Sequence, residues 1–252
     1  MKIKTQTRGF VSAVFAYFIS MGAIAVSSAM TYIIEDYPQF STLTIQVVVS
    51  TLPCLFIMVG NLLAPSISNV ISKKITILLG CILFCLGIIP MFVTGFGPLV
   101  LSRLLVGFGI GLEMPMSSEL IWKYGENPKA CQKAIGWQQS GGGIGMLIMS
   151  FAGGALMAAS YTHIYAVHLV GLIGFIVVLV LAPQDHPRTE QKEKALIGVN
   201  GDTIFWCVLI FIFITFLNPH SACLALKLSQ SDWADPARIG NMASLGLSML
   251  VL

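Results

Sequence analysis

Residues 102–113 read Ser102-Arg103-Leu104-Leu105-Val106-Gly107-Phe108-Gly109-Ile110-Gly111-Leu112-Glu113, one arginine and three glycines in a run otherwise apolar enough to cross a bilayer. An arginine in hydrocarbon is costly, so such residues face a bundle interior or a water-filled cavity, or snorkel to the interface near a helix end. Arg103, Gly107 and Gly111 are spaced four apart, which puts a charge and two side-chain-free positions on one helical stripe. A second backbone can come close to such a stripe.

The surrounding composition says what kind of chain carries it. Of 252 residues, 56% are hydrophobic and 10% charged, where soluble domains carry about 25% charged residues; the mean hydropathy is +0.86. This is the composition of an integral membrane protein. Apolar runs of about twenty residues without period-two alternation favour helices over barrel strands, which are about ten residues long. The fold class is therefore all-α. The net charge of +3 is spread over short segments between spans and forms no nucleic-acid patch. The six cysteines include no CxxC, and Cys81 and Cys85, on one helix face, read as packing; neither disulfide nor metal is expected.

Apolar spans are expected at 10–34, 43–67, 75–93, 99–121, 134–158 and 163–182. The first follows Lys2, Lys4 and Arg8. It is longer than the roughly 7–15 apolar residues of a secretory signal and further spans follow, so it is read as retained. Glu35-Asp36-Tyr37-Pro38 is read as an acidic turn and 123–133 as a basic loop. From 183 to 201 the sequence turns polar and charged, the one expected domain boundary. A seventh span is expected from 203 to 228, interrupted at Asn218-Pro219, and an eighth from 238. The latter is short of the about twenty residues needed to cross, so the sequence reads as ending inside a helix. Lys2, Lys4, Arg8, Lys73, Lys74, Lys123, Lys129, Lys133, Arg188, Lys192 and Lys194 fall on one side if the amino terminus is cytoplasmic, eleven of the fourteen basic residues. Arg103, Lys227 and Arg238 are the exceptions.

Three stretches resemble the major facilitator superfamily. Arg103 to Gly111 is similar to its RxxxGxG signature, and Gly141-Gly142-Gly143-Ile144-Gly145 followed by Gly153-Gly154 to the glycine-rich fifth helix of its antiporters. Between spans two and three, Gly60 to Asn69 and Lys73-Lys74 keep the shell of the family's loop motif without its aspartate, and Met149-Ser150 stands where the fifth-helix pattern has Gly-Pro. The resemblance implies a bundle with an amino-terminal six-helix transporter half (1–183), a cytoplasmic linker (184–202) and the start of a second half (203–252). It implies a secondary active transporter of small organic molecules in a cell membrane, proton-coupled in efflux or exchange, working by alternating access. It also implies that the carboxy-terminal half missing from this sequence is needed for activity. A non-transporting fragment, and an uptake carrier or anion exchanger of the same family, are the alternatives. In the family the fifth-helix glycines lie where the halves meet and rock.

No nucleotide loop, metal cluster or nucleophile with a base is present in the sequence, so neither enzyme chemistry nor a cofactor is expected, and there are no catalytic candidates. Candidates for a substrate or proton path are Arg103, Glu113, Gln138, Gln139 and Asn61. Glu113, in Gly111-Leu-Glu-Met-Pro115, is read either as a cavity carboxylate in a weakened helix or as an acid paired with a loop lysine such as Lys123. It lies about 15 Å along the helix axis from Arg103, so the two do not pair. Glu119 is read as interfacial. Gln138, Gln139, Asn61, Gln46, Ser27 and Ser28 each have interhelical hydrogen bonding as the competing role. His163 and His168 are read as interfacial, with a proton-linked role as the alternative. Trp122, Trp206 and Tyr161 are read as interface-belt aromatics. Gly107, Gly111, Gly141, Gly145 and Gly153 are helix-packing candidates, and Gly60, Lys73 and Lys74 the remnant of the loop motif.

Overall fold

The computed structural model describes residues 5–157 and 160–184, with positions between 201 and 212. Six helices among them are long and apolar enough to cross a membrane. α1 is α-helical over Thr5–Ser20, tightens to a 3-10 helix over Met21–Ala29 and ends as an α-helix over Met30–Asp36. α2 covers Thr42–Ile71, α3 Lys73–Phe92, α4 Phe96–Tyr124, α5 Pro128–Met157 and α6 Tyr161–Leu181. Most of these helices start earlier than hydropathy alone places them, because their first turns are polar. The expected basic loop at 123–133 shrinks to Gly125–Asn127, with Lys129 and Lys133 on α5, and Glu35 and Asp36 belong to the end of α1. The expected linker and the seventh and eighth spans lie almost wholly outside the described residues.

Local irregularities follow from sequence. Pro53 cannot donate to the ladder, and the turn just before it, Val47–Thr51, widens to a π-helix. Pro90 follows the 3-10 turn Leu86–Ile88 of α3 in the same way. Pro115 sits inside α4 without interrupting it, so the weakened stretch expected at 111–115 remains helical. Ser72 alone joins α2 to α3, with φ 80° and ψ 154°. That region is reached with ease only by glycine. The Ser72 hydroxyl accepts from the Ile75 amide at 3.4 Å, capping α3.

α1 and α4 form the centre. α4 packs against α2, α3 and α1, whereas α1 packs against α5 and α6. Each triplet's first helix thus lies among the second and third helices of the other triplet. This exchange gives the six helices a three-plus-three order that no sequence repeat discloses.

The α2–α4 seam is built from small residues. In the main α-helical stretch of α2, Leu52–Ile71, Pro53, Gly60, Ala64 and Ser68 are buried, one stripe at mostly four-residue spacing. Gly107 meets the Pro53 backbone, and a Cβ on Gly111 would stand 2.8 Å from Gly60 Cα. Gly109 turns the other way, where a Cβ would lie 2.7 Å from the Gly80 carbonyl oxygen of α3. Alternate glycines therefore let α4 approach two helices at backbone contact. The motif residue Gly60 is part of this helical seam and not of a loop.

Candidate functional site

The central helix α4 carries two separate buried ionisable groups. Arg103, seven residues from the start of α4, is 1% exposed and does not snorkel. Its Nη2 lies 3.3 Å from His168 Nε2, its Nε donates to Ser102 Oγ at 3.4 Å, and its guanidinium carbon sits 5.7 Å from the centre of the Tyr165 ring. His168 Nδ1 is 2.9 Å from the Tyr165 carbonyl oxygen. A carbonyl only accepts, so Nδ1 carries the proton and Nε2 is the acceptor facing Arg103. This is a neutral histidine serving a guanidinium.

The helices are shaped to make that contact. α6 opens as a 3-10 helix over Tyr161–Leu169, where positions three apart eclipse, bringing Tyr165 and His168 onto one side. Gly87, in the 3-10 turn of α3, lacks the Cβ that would strike the His168 ring, and Phe84 packs beside the ring at a centroid distance of 5.0 Å. His168 is thus fully buried, which overturns its interfacial reading: its 3-10 segment turns it into the bundle.

Glu113 is fully buried among α1, α3 and α4. Ser20 Oγ donates to its Oε2 at 3.0 Å, and the Cys81 thiol lies 3.9 Å from Oε1. No cation among the described residues lies within ion-pair distance of it. The expected pairing with Lys123 does not form; Lys123 extends over the Tyr124 ring. Cys81, read from the sequence as packing, also contacts this acid. A Cβ on Gly80 would come within 3.2 Å of Glu113 Cβ, so that glycine admits the carboxyl between helices.

The amides divide. Gln138 is buried, donates to Ser117 Oγ at 2.8 Å and accepts from Ser118 at 3.3 Å, tying α5 to α4. Gln139 is exposed and accepts from the Tyr17 hydroxyl at 2.9 Å. Asn61 is exposed and joins neither cluster. Ser27 and Gln46 are half-buried, and the Ser28 side chain lies outside the described structure. The fifth-span glycines face α1 within this unit: Gly141 meets Val14, Gly145 the Phe18 carbonyl, and Gly153 meets Ala25 and Ile164. Among the described residues they form a seam closed by the Val14 side chain at Gly141, the Phe18 backbone at Gly145 and the side chains of Ala25 and Ile164 at Gly153.

At the opposite end of α4 from Arg103, Lys73 pairs with Glu119, both partly exposed. Lys74 Nζ donates to the carbonyls of Leu179 (2.8 Å) and Ala182 (2.9 Å), and Arg8 to those of Leu181 and Val180, both at 3.1 Å. Two cations from α1 and α3 thereby satisfy the open carbonyl end of α6. Trp122 and Trp206 are exposed, while Tyr161 stacks on Tyr32 at 5.8 Å. Hydropathy reveals the helix that bears each charge. It does not reveal Ser20, Cys81, Tyr165 and His168 as partners, because their contacts join residues 62 to 93 positions apart, or 32 for Cys81.

A bundle of six membrane-crossing helices in crossed triplets, with ionisable groups enclosed on its central helix, defines a multi-pass membrane protein. The family model described as Major Facilitator Superfamily matches residues 10–248, and the chain belongs to that superfamily. Among solved structures it is similar to the crystal structure of a D-xylose-proton symporter, with a TM-score of 0.57 and 13% identity. At that identity the likeness is one of fold. The match covers 98% of this chain and 65% of that one, so the chain spans about two thirds of the symporter's length. No curated protein matches the sequence significantly.

Proposed function

We propose that this protein is a secondary active transporter that moves small organic molecules by alternating access, with residues 1–183 as the first helical half, 184–202 as a cytoplasmic linker and 203–252 as the opening of the second. The family match and the crossed-triplet fold support this reading. The carrying observation for ion coupling is Glu113: a carboxyl enclosed with, among the described residues, only a hydroxyl and a thiol as partners, on the helix that touches both triplets. Intramembrane carboxyls of that kind serve as proton sites, since a change of access changes whether the charged form is tolerated. The proton moves on and off Glu113 as α1 and α3 shift against α4, driving efflux or exchange across a cell membrane with the amino terminus inside.

The test is solute flux in proteoliposomes holding the full chain under an imposed pH gradient, against Glu113→Gln. Gradient-driven accumulation that disappears in the variant, with solute counterflow retained, supports proton coupling through Glu113; equal gradient dependence in both removes it. The sign of flux decides direction. Uptake by symport is the second reading, favoured by the symporter named above, and would appear as accumulation down the proton gradient.

A further inference from the structure

We propose that Arg103, held by His168 and Tyr165, is the subsite for a carboxylate on the transported solute; this deepens the transporter reading and rests on it. A guanidinium has five N–H donors and no acceptor capacity, and its charge is expensive in a dry interior unless met by an anion. Here an enclosed side chain finds a neutral imidazole, a hydroxyl and an aromatic face. Nη1 makes no hydrogen bond among the described residues, and none of their carboxylates lies within ion-pair distance. Glu113 is ten residues further along the same helix.

The neutral neighbours are positioned, not incidental. His168 has its tautomer set by the Tyr165 carbonyl, so it offers a lone pair and no proton to Arg103. Both residues come from the 3-10 opening of α6, and the clearance is provided by Gly87 in the 3-10 turn of α3. Two helices are locally reshaped around an arginine on a third. Helical irregularity of this kind accompanies functional sites. Arg103 lies about 10 Å from the start of α4, near one end of the bundle, where opening of the 3-10 segments would uncover it. A planar carboxylate matches the two-pronged donor edge of the guanidinium. His168 is a positioning residue in this subsite: it orients the guanidinium while leaving its charge unneutralised.

The test uses purified full chain in detergent with benzoate, its neutral isostere benzamide, and inorganic phosphate, read as shifts in unfolding temperature, then as flux in proteoliposomes. Benzoate is expected to stabilise the wild type and benzamide not to. His168→Gln, which can accept from Arg103 and donate to the Tyr165 carbonyl, should keep the effect. His168→Leu should weaken apparent benzoate affinity about tenfold, the loss of one charge-assisted hydrogen bond, and Arg103→Gln should abolish it. If Arg103→Gln fails to fold, the Gln and Leu variants of His168 still decide. Equal stabilisation by benzamide, benzoate binding that survives Arg103→Gln, or equal affinity in the two His168 variants overturns the proposal; phosphate alone acting overturns the choice of carboxylate. Solute flux without any anion dependence sinks this subsite and leaves the transporter reading standing. Arg103-dependent benzoate binding with no flux of any solute does the reverse.

Discussion

Individual glycines in this bundle have opposite consequences when given a side chain. Gly107 meets the Pro53 backbone, so Gly107→Ala forces α2 and α4 apart and is expected to lower stability by about 1–3 kcal/mol, the usual effect of overpacking. Gly136, on α5, has open space for at least 4 Å around the place a Cβ would occupy. Gly136→Ala is therefore expected to raise stability by about 0.5–1 kcal/mol through helix propensity alone. Thermal unfolding of both variants in one detergent checks the pair, and equal shifts would contradict the seam. At this scale the sequence singles out Arg103 and Glu113 as charges within a span without disclosing what they touch. Arg103 sits near the end of its span, which suggests snorkelling, but its partner His168 is 65 positions away. Spacing along one helix carries no information about such a partner.

Ser72 shows an element boundary reduced to a single residue. Its backbone lies where glycine is at ease, so Ser72→Gly should relieve about 1–3 kcal/mol of strain while losing only a few tenths from the cap. A raised unfolding temperature is the expected outcome, and a lowered one would show that the Ser72 hydroxyl contributes more than its geometry suggests. At the start of α3, Lys74→Ala should expose the last carbonyls of α6 and weaken that helix end by about 0.3–1 kcal/mol, read as faster amide exchange in its final turn. The six helices themselves are legible from apolar runs of the right length. Their ends are not, because Thr5, Thr42, Phe96 and Pro128 start helices in segments too polar or too turn-like to register as membrane spans. Nor are the 3-10 stretches of α1 and α6, since side-chain contacts between helices select that tighter winding.

The whole molecule has a direction in the membrane, which basic residues suggest and labelling can test. With the amino terminus inside, Asn127→Cys, between α4 and α5, should react with a membrane-impermeant maleimide only after cells are opened. Gln39→Cys, between α1 and α2, should react in intact cells. The reverse pattern would invert the orientation and place Arg103 at the cytoplasmic end. The crossed triplets were not legible, because nothing in a run of apolar residues says which other run it will touch. They bear on how the chain is made. When α4 emerges from the ribosome, Ser20 and Cys81 are already in place to receive Glu113, but His168 has not been synthesised. The arginine must enter the bilayer ahead of its partner, against an insertion penalty that reaches about 2.5–3.5 kcal/mol at mid-depth and is smaller toward the helix end where Arg103 sits. The α2 seam, complete by then, can grip the glycine stripe and hold α4 in place until α6 arrives, so biogenesis of the charged site waits on the last helix of the six.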